Sequence, residues 1–192
     1  MIEFQQFSKE YNGDLVVSAD LKLEQGLYWL KAGNGTGKTT LLQSMGGLIP
    51  FDGNIRVNGL SVKNNSREYR KTVNYAEAEP LYPEFLTGRD LIRFYLETKT
   101  GDPAAADIVS HTLGVDAFAG KKLGTYSSGM AKKLSLLLAF IGNPSLILLD
   151  EPLITLDKES VTLLYDLIRK HLKYPKQADW KQTWRSLSSY GY

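Results

Sequence analysis

Residues 27–45 set an apolar run, a glycine-rich loop and an apolar-periodic segment in direct succession, and few orders constrain a chain more tightly. Leu27 to Leu30 leads into Ala32-Gly33-Asn34-Gly35-Thr36-Gly37-Lys38-Thr39-Thr40, after which Leu41, Leu42 and Met45 recur at helical spacing up to Gly46-Gly47. This order predicts strand, loop, helix. A loop that opens a helix aims several backbone N–H groups at one point, at the positive end of the helix dipole, which suits a phosphate chain. In the pattern G-x-x-x-x-G-K-[ST] the lysine reaches the terminal phosphates and the hydroxyl binds magnesium. Lys38 and Thr39 occupy those places, and Gly33, Asn34, Gly35, Thr36, Gly37 and Thr40 complete the phosphate-binding set. The first glycine of the pattern falls on Ala32, which must keep φ below zero there. A mere flexible turn is the alternative for Gly33 to Gly37, but its place between strand and helix favours phosphate.

Ahead of this loop, Ile2 to Phe7, Leu15 to Val17 and Leu27 to Leu30 are separated by Asn12-Gly13 and Gln25-Gly26, which predicts a β-rich opening of short strands. Phe51 to Gly59 reads as turns around one strand, Ser61 to Tyr69 as a polar surface connection, and Thr72 to Tyr75 as a further strand. From Thr87 to Phe140 the period becomes helical. Thr87 is placed to cap a helix carrying Leu91, Phe94 and Tyr95; Pro103 starts another, with Ile108 and Leu113 inward; Leu134, Leu137, Leu138 and Ile141 form a third stripe. Lys158 to Leu172 is a last amphipathic helix with Asp157 as its cap.

Leu146 to Leu149 is a continuous apolar run ending in Asp150-Glu151-Pro152, the pattern of a strand buried on both faces of a parallel sheet. An aspartate there sits at the carboxyl edge, where open α/β folds bind ligands. Asp150 is therefore the expected magnesium-side residue, with Thr39 as the other metal ligand. Glu151 is the expected general base for a water attacking a γ-phosphate. Taken alone, the three residues are also an ordinary polar exit from a strand.

Composition narrows the chemistry. Lysine plus arginine exceed aspartate plus glutamate by only 23 to 21 in 192 residues, so nucleic acid is not an expected partner. Zero cysteines exclude disulfides, thiolate zinc sites and cysteine nucleophiles, and suit a reducing compartment. Met1 to Phe7 does not read as a signal peptide, and no apolar run approaches the roughly 20 residues that span a bilayer. A cytoplasmic location is expected, and any membrane crossing would belong to another chain.

From Tyr11 to Asp157 the order of motifs resembles the ABC ATPase family. The deciding segment is Tyr126-Ser127-Ser128-Gly129-Met130, which is similar to the family's L-S-G-G-Q signature, with Ser127 and Gly129 matching. The resemblance implies an α/β fold of the P-loop NTPase type: a RecA-like parallel-sheet core, an N-terminal antiparallel β subdomain and an inserted α-helical subdomain. Residues 1–192 would form one nucleotide-binding domain: 1–80 the β subdomain and P-loop core, 81–140 the helical subdomain, 141–172 the return to the core and 173–192 an atypical end. It implies ATP and Mg2+ as cofactors and a head-to-tail homodimer or heterodimer, in which Ser127, Ser128 and Gly129 of one copy face the γ-phosphate held by the other. Ser127 and Ser128 as helix caps are compatible with that role. Tyr11 resembles the aromatic that stacks on adenine, with core or turn packing as its alternative, and Asp157 resembles the loop aspartate that senses the partner copy, while also able to cap a helix.

The same resemblance implies ATP hydrolysis coupled to transport by a separate transmembrane permease subunit, with this chain peripheral on the inner face of the cell membrane. Leu81 to Thr87 followed by Gly88-Arg89 looks most like exporters. Two departures stand out. The family's glutamine loop would fall in Tyr75 to Pro80, where no glutamine occurs: Glu77 or Glu79 as its substitute, and an exposed acidic connection, are the two readings. The switch histidine has no match: His171 comes too early, His111 reads as a helix-surface residue, and Leu187-Ser188-Ser189-Tyr190 carries tyrosine there. A regulatory or catalytically impaired ATP-binding module is therefore the alternative. A soluble P-loop kinase or GTPase is disfavoured by the Tyr126–Met130 segment and by the lack of an N-K-x-D stretch.

Overall fold

A computed structural model describes residues 1–172 and the backbone of Arg185–Ser186. The chain divides into two compact units: Met1–Arg70 with the described residues from 169 onward, and Lys71–Ile168. The first unit carries β1 (Ile2–Tyr11), β2 (Asp14–Leu23), β3 (Tyr28–Trp29), α1 (Lys38–Met45), β4 (Asp52–Val57), β5 (Leu60–Ser61) and most of α2 (Ser66–Thr72). The second carries β6 (Val73–Ala76), α3 (Gly88–Thr98), α4 (Pro103–Leu113), α5 (Ser128–Phe140), β7 (Leu146–Leu149) and most of α6 (Lys158–His171).

The first unit is built on an antiparallel sheet in the order β2-β1-β4-β5. Asn12 and Gly13 both take positive φ, 54° and 90°. That is the backbone of a two-residue hairpin turn, and it lets β1 and β2 run ten residues each, longer than the expected short strands. Side chains alternate along a regular strand, so Phe4 and Phe7 would face opposite ways. A bulge between them, with Gln6 at φ 48°, adds the residue that turns both inward. Both are buried, their rings edge-to-face at 5.7 Å, and Phe7 also meets Phe51 at 5.3 Å. The loop opening α1 follows β3, which pairs in parallel with β8 (Arg185–Ser186).

The surface connection expected over Ser61 to Tyr69 instead takes in the end of β5 and the first part of α2. Tyr69 is fully buried, and its hydroxyl donates to the Met45 carbonyl at 2.6 Å. Burial pushes the Tyr69 phenol up from its ordinary range. Residues 63–68 are otherwise polar, so a helix anchored by one aromatic leaves no apolar period to read.

The second unit centres on α5. Leu134, Leu136, Leu137 and Leu138 are all buried, as is Ile141 at the helix end. A helix apolar over most of its surface belongs inside, and α5 touches α3, α4, β6 and β7. β6 and β7 pair in parallel, from Val73↔Leu146 to Ala76↔Leu149. Parallel neighbours need a crossover, and the connection carrying α3, α4 and α5 supplies it. The Leu146–Leu149 strand has its expected bounds, although only Leu148 is fully enclosed. Thr87 closes a capping box with Asp90, and Asp102 caps α4 ahead of Pro103. Phe94 and Ile108 turn outward, 57% and 60% exposed; the inward stripe of α4 runs through Ala106, Ser110 and Leu113. Small Ala106 and Ser110 fill the tight contact that Ile108 was expected to make.

Asn74 of β6 is buried, and its amide donates to the carbonyls of Ala139 and Ile141 at 2.9 and 2.8 Å, closing the carboxyl end of α5. Those carbonyls belong to the last turn of a helix, where no intrahelical donor reaches. Asn74→Ala is expected to destabilise the fold by about 3 kcal/mol in urea denaturation, because two buried acceptors lose their donors. Asn74→Asp, which sets a carboxylate against both carbonyls, is expected to cost more. Equal stability of the wild type and Asn74→Ala would refute this account of the helix end.

Candidate nucleotide site

In the first unit, Gly33 to Thr40 lie together as the loop and first turn of α1. Gly37 is the N-cap at φ 85°, with no side-chain cap bond, so the amides of the first turn keep no side-chain acceptor. Two constraints hold glycine there: the positive φ, and an added Cβ lying 3.0 Å from Val16 Cγ1 and 3.1 Å from the Val16 carbonyl. Lys38 folds back over the loop, and its Nζ donates to the carbonyls of Ala32 (3.0 Å) and Gly33 (2.6 Å). Thr36 Oγ1 donates to the same Gly33 carbonyl at 2.8 Å. Ala32 avoids positive φ, as its Cβ requires. These bonds curl the loop around the lysine, with Asn34, Gly35 and Thr39 exposed. Uncapped amides, the positive helix end and an ammonium make an anion-binding cradle. Tyr11 is half-exposed at the end of β1, with Lys9 Nζ 4.6 Å above its ring.

In the second unit, Asp150 follows β7, its N–H donating to the Ala76 carbonyl at 2.9 Å, which extends the parallel pairing by one residue. It is 2% exposed, and Tyr75 Oη donates to its Oδ2 at 3.1 Å. A buried carboxylate answered by one neutral hydroxyl retains lone pairs for a cation. Magnesium carried in by a nucleotide asks little of the protein, one or two oxygens beside the phosphates and waters. The Asp150 carboxylate is an oxygen ligand of that kind, and among the described residues no cluster of three or more His, Cys, Asp or Glu exists that would hold a metal unaided. Glu151 is exposed and held at φ 43°, a conformation costing a non-glycine residue roughly 1–3 kcal/mol. Its carbonyl accepts from the Ile154 N–H at 3.2 Å, which begins the loop leading to Asp157.

The Tyr126–Met130 segment opens α5. Ser127 is the N-cap, its Oγ accepting from the Met130 N–H at 3.2 Å, and both Ser127 and Ser128 are exposed. Tyr126 anchors the approach through Phe118, edge-to-face at 5.1 Å and hydrogen-bonded to its carbonyl at 3.1 Å. A Cβ added at Gly129 would stand 3.2 Å from the Thr155 carbonyl, so α5 begins close against the 151–157 loop. Asp157 caps α6 through the Ser160 N–H (2.8 Å) and hydroxyl (3.0 Å), and pairs with Lys133 Nζ at 3.3 Å.

Lys132 went unread in the sequence. It lies wholly buried in α5, its Nζ donating to the carbonyls of Glu77 (2.7 Å), Ala78 (3.1 Å) and Asp150 (2.8 Å). Burial pushes it down to about 8, against the opposing pull of Asp150, Glu151 and Glu77. Glu77 is raised by desolvation, partly offset by Lys132. Next to another lysine it looks like part of a solvated face; the signal available was its helical phase, in line with buried Ser135, Leu136 and Ala139. The comparison of Leu187–Tyr190 with a switch histidine lies outside the described residues, while His171 is the last residue of α6.

A loop with uncapped amides and a lysine at the head of a helix, and a carboxylate at the edge of a parallel pair, define a nucleotide-binding α/β protein. Residues 18–154 match the family model for the ABC transporter. The chain belongs to that family, as its ATP-binding domain. It is 31% identical over 88% of its length to ABC transporter A family member 4 of Dictyostelium discoideum, and 34% identical over 70% to the human retinal-specific phospholipid-transporting ATPase ABCA4. The chain spans only 11% and 6% of those two relatives. Among solved structures, an ATP-binding subunit of an ABC transporter matches 90% of this chain and 75% of its own, with TM-score 0.80 and 22% identity. A dimeric ATP-binding cassette bound to ADP and Pi matches 97% and 86%, with TM-score 0.74 and 16% identity. These two likenesses carry the fold: a P-loop ATPase domain of mixed antiparallel and parallel strands with helices.

The Asp157 carboxyl is held at about 2, first by the Ser160 N–H, then by the Ser160 hydroxyl and Lys133. A carboxyl depressed on folding adds stability above its unfolded value, near 3.8, and loses it as pH falls through about 2. The stability gap between wild type and Asp157→Asn, measured by urea denaturation, is therefore expected to be full above pH 4 and to close as pH approaches 2. A gap that stayed constant across that window would rule out the charged cap.

Proposed function

We propose that this domain binds Mg-ATP on the 33–40 loop and hydrolyses it in a head-to-tail dimer, powering transport by a membrane-spanning partner on a separate chain. The observation that carries the reading is the head of α1: uncapped first-turn amides beside the Lys38 ammonium. Amides of residues 35–40 take the phosphate oxygens, and Lys38 trades the Ala32 and Gly33 carbonyls for the terminal phosphates, a charge-assisted exchange. Thr39 and Asp150 would hold the magnesium, which would supply charge neutralisation for the phosphates. Tyr11 offers its half-exposed ring to adenine.

Glu151 accepts a proton from the attacking water; the water oxygen bonds to the γ-phosphorus, the bridge to the β-phosphate breaks, and ADP and phosphate leave. Its exposure and left-handed backbone suit a carboxylate turned out to meet a ligand. In the dimer, exposed Ser127 and Ser128 with the amide end of α5 face the partner copy's γ-phosphate. Gly129 against Thr155, and Lys133 on Asp157, tie that surface to the loop after Glu151. Exposed Leu81 and Phe85, 90% and 75% accessible, favour docking of the partner in the 81–87 region. The motif likeness in this stretch favours an exporter working on the inner face of the cell membrane.

A second reading, a regulatory domain that binds ATP with little turnover, is favoured by one observation: both histidines, at 111 and 171, fall within helices.

Lys38→Ala is expected to abolish measurable ATP binding by calorimetry, a loss of about 3 kcal/mol or more as the phosphates lose their cation. Unchanged affinity would refute the loop assignment. Glu151→Gln with ATP and magnesium is expected to sediment as a two-fold dimer, since binding persists and turnover stops. A persistent monomer would remove the dimer role of Ser127 to Gly129 and leave the phosphate loop standing.

A further inference from the structure

A buried ammonium is costly unless each of its protons finds an acceptor. Lys132 meets that condition completely, spending its three donors on three main-chain carbonyls. The acceptors sit on two separate loops: Glu77 and Ala78 just after β6, Asp150 just after β7. Both loops leave the carboxyl ends of a parallel strand pair, the edge where open α/β sheets receive ligands. The donor comes from α5, whose first turn carries Ser127 to Gly129 as cap and opening residues. One side chain thus fixes the main-chain path of both loops relative to the start of α5, and the carboxylates stay free of its direct grip.

An apolar residue would hold the same interior without desolvating a charge, so packing alone does not account for a lysine here. We propose that Lys132 is a positioning residue for the nucleotide reaction: it locks the backbone at Asp150 and at Glu77–Ala78, so that the Asp150 carboxylate stands ready for the magnesium of Mg-ATP. This rests on the reading of Asp150 as the magnesium-side residue. The role runs through the main chain, so its loss moves the carboxylate without removing it.

The test measures ATP affinity of the full chain by calorimetry, once with magnesium and once with EDTA, for wild type, Lys132→Met, Lys132→Gln, Lys132→Arg and Asp150→Asn. The gain that magnesium brings is expected to fall by about tenfold or more in Lys132→Met, the effect of removing a support behind a metal ligand. Affinity in EDTA is expected to stay within about twofold, because the phosphate loop is a separate site. Lys132→Gln, which keeps two donors, is expected to lose less, and Lys132→Arg to recover most of the gain. Should circular dichroism show Lys132→Met unfolded, Lys132→Gln carries the comparison. A merely structural lysine would lower both affinities together or neither, and that result, or an intact magnesium gain in a folded Lys132 variant, overturns the proposal. If Asp150→Asn also keeps the gain, the magnesium reading of Asp150 falls and takes the Lys132 role with it; if Asp150→Asn loses it and the Lys132 variants do not, only Lys132 is refuted.

Discussion

The parallel pairing of β6 with β7 is the constraint from which the second unit follows. Parallel neighbours point their carboxyl ends the same way, so the loops that begin at Glu77 and Asp150 emerge side by side. The pairing also forces a long crossover, and the chain spends it on α3, α4 and α5. That places a helix with a mostly apolar surface against the strand pair, and the carboxyl end of α5 is then closed by Asn74 from β6 itself. Its amino end is set beside the 151–157 loop, through the contact of Gly129 with Thr155 and the pairing of Lys133 with Asp157. The two ends of one helix thus meet the start of one strand and the exit of the other.

The first unit obeys a different constraint, that of the antiparallel hairpin. A two-residue turn at Asn12-Gly13 fixes the register of β1 and β2, and the bulge at Gln6 resets the alternation so that Phe4 and Phe7 share one core. On this frame β2 presents Val16 to Gly37, close enough that only glycine can head α1 there. The head of α1 remains uncapped. Elsewhere Thr87, Asp102 and Ser127 each spend a side chain on their helix, so the missing cap at the phosphate loop is a selective omission. Orphan amides cost stability in water only modestly, and they are what an anion requires.

Much of this was readable because local chemistry and burial agree. Leu146 to Leu149 could be bounded to the residue, since an apolar run stopped by Asp-Glu-Pro has no other reading in a parallel sheet. Thr87, Pro103 and Asp157 announced helix starts through groups that satisfy the first-turn amides or need none. Where burial depends on a partner far along the chain, the signal vanished. Tyr69 is anchored by the Met45 carbonyl, Ile108 yields its inward place to Ala106 and Ser110, and Lys132 answers carbonyls from two distant loops. Hydrophobic period assigns faces by residue type, so it sends isoleucine inward and lysine outward. At Ile108 the assignment failed because the contact was set by size, and at Lys132 a hydrogen-bond need left no apolar period to read. The same limit holds at Tyr75 to Pro80, where Glu77 and Glu79 were legible as acidic stand-ins but the grip of Lys132 on the Glu77 and Ala78 carbonyls was not.

The choice of acceptors around Lys132 carries one more consequence. An ammonium paired directly with the Asp150 or Glu151 carboxylate would neutralise it, and a neutralised carboxylate has little attraction left for a cation or a proton. By gripping carbonyls, Lys132 takes partial charges and leaves the full ones unspent. The Tyr75 hydroxyl acts in the same sense, orienting Asp150 with a neutral donor. Under the proposed function, a site that receives a magnesium ion with its nucleotide and releases it after reaction would need carboxylates that are fixed in place and yet unpaired. Backbone anchoring achieves both, which a salt bridge to the carboxylates themselves would not.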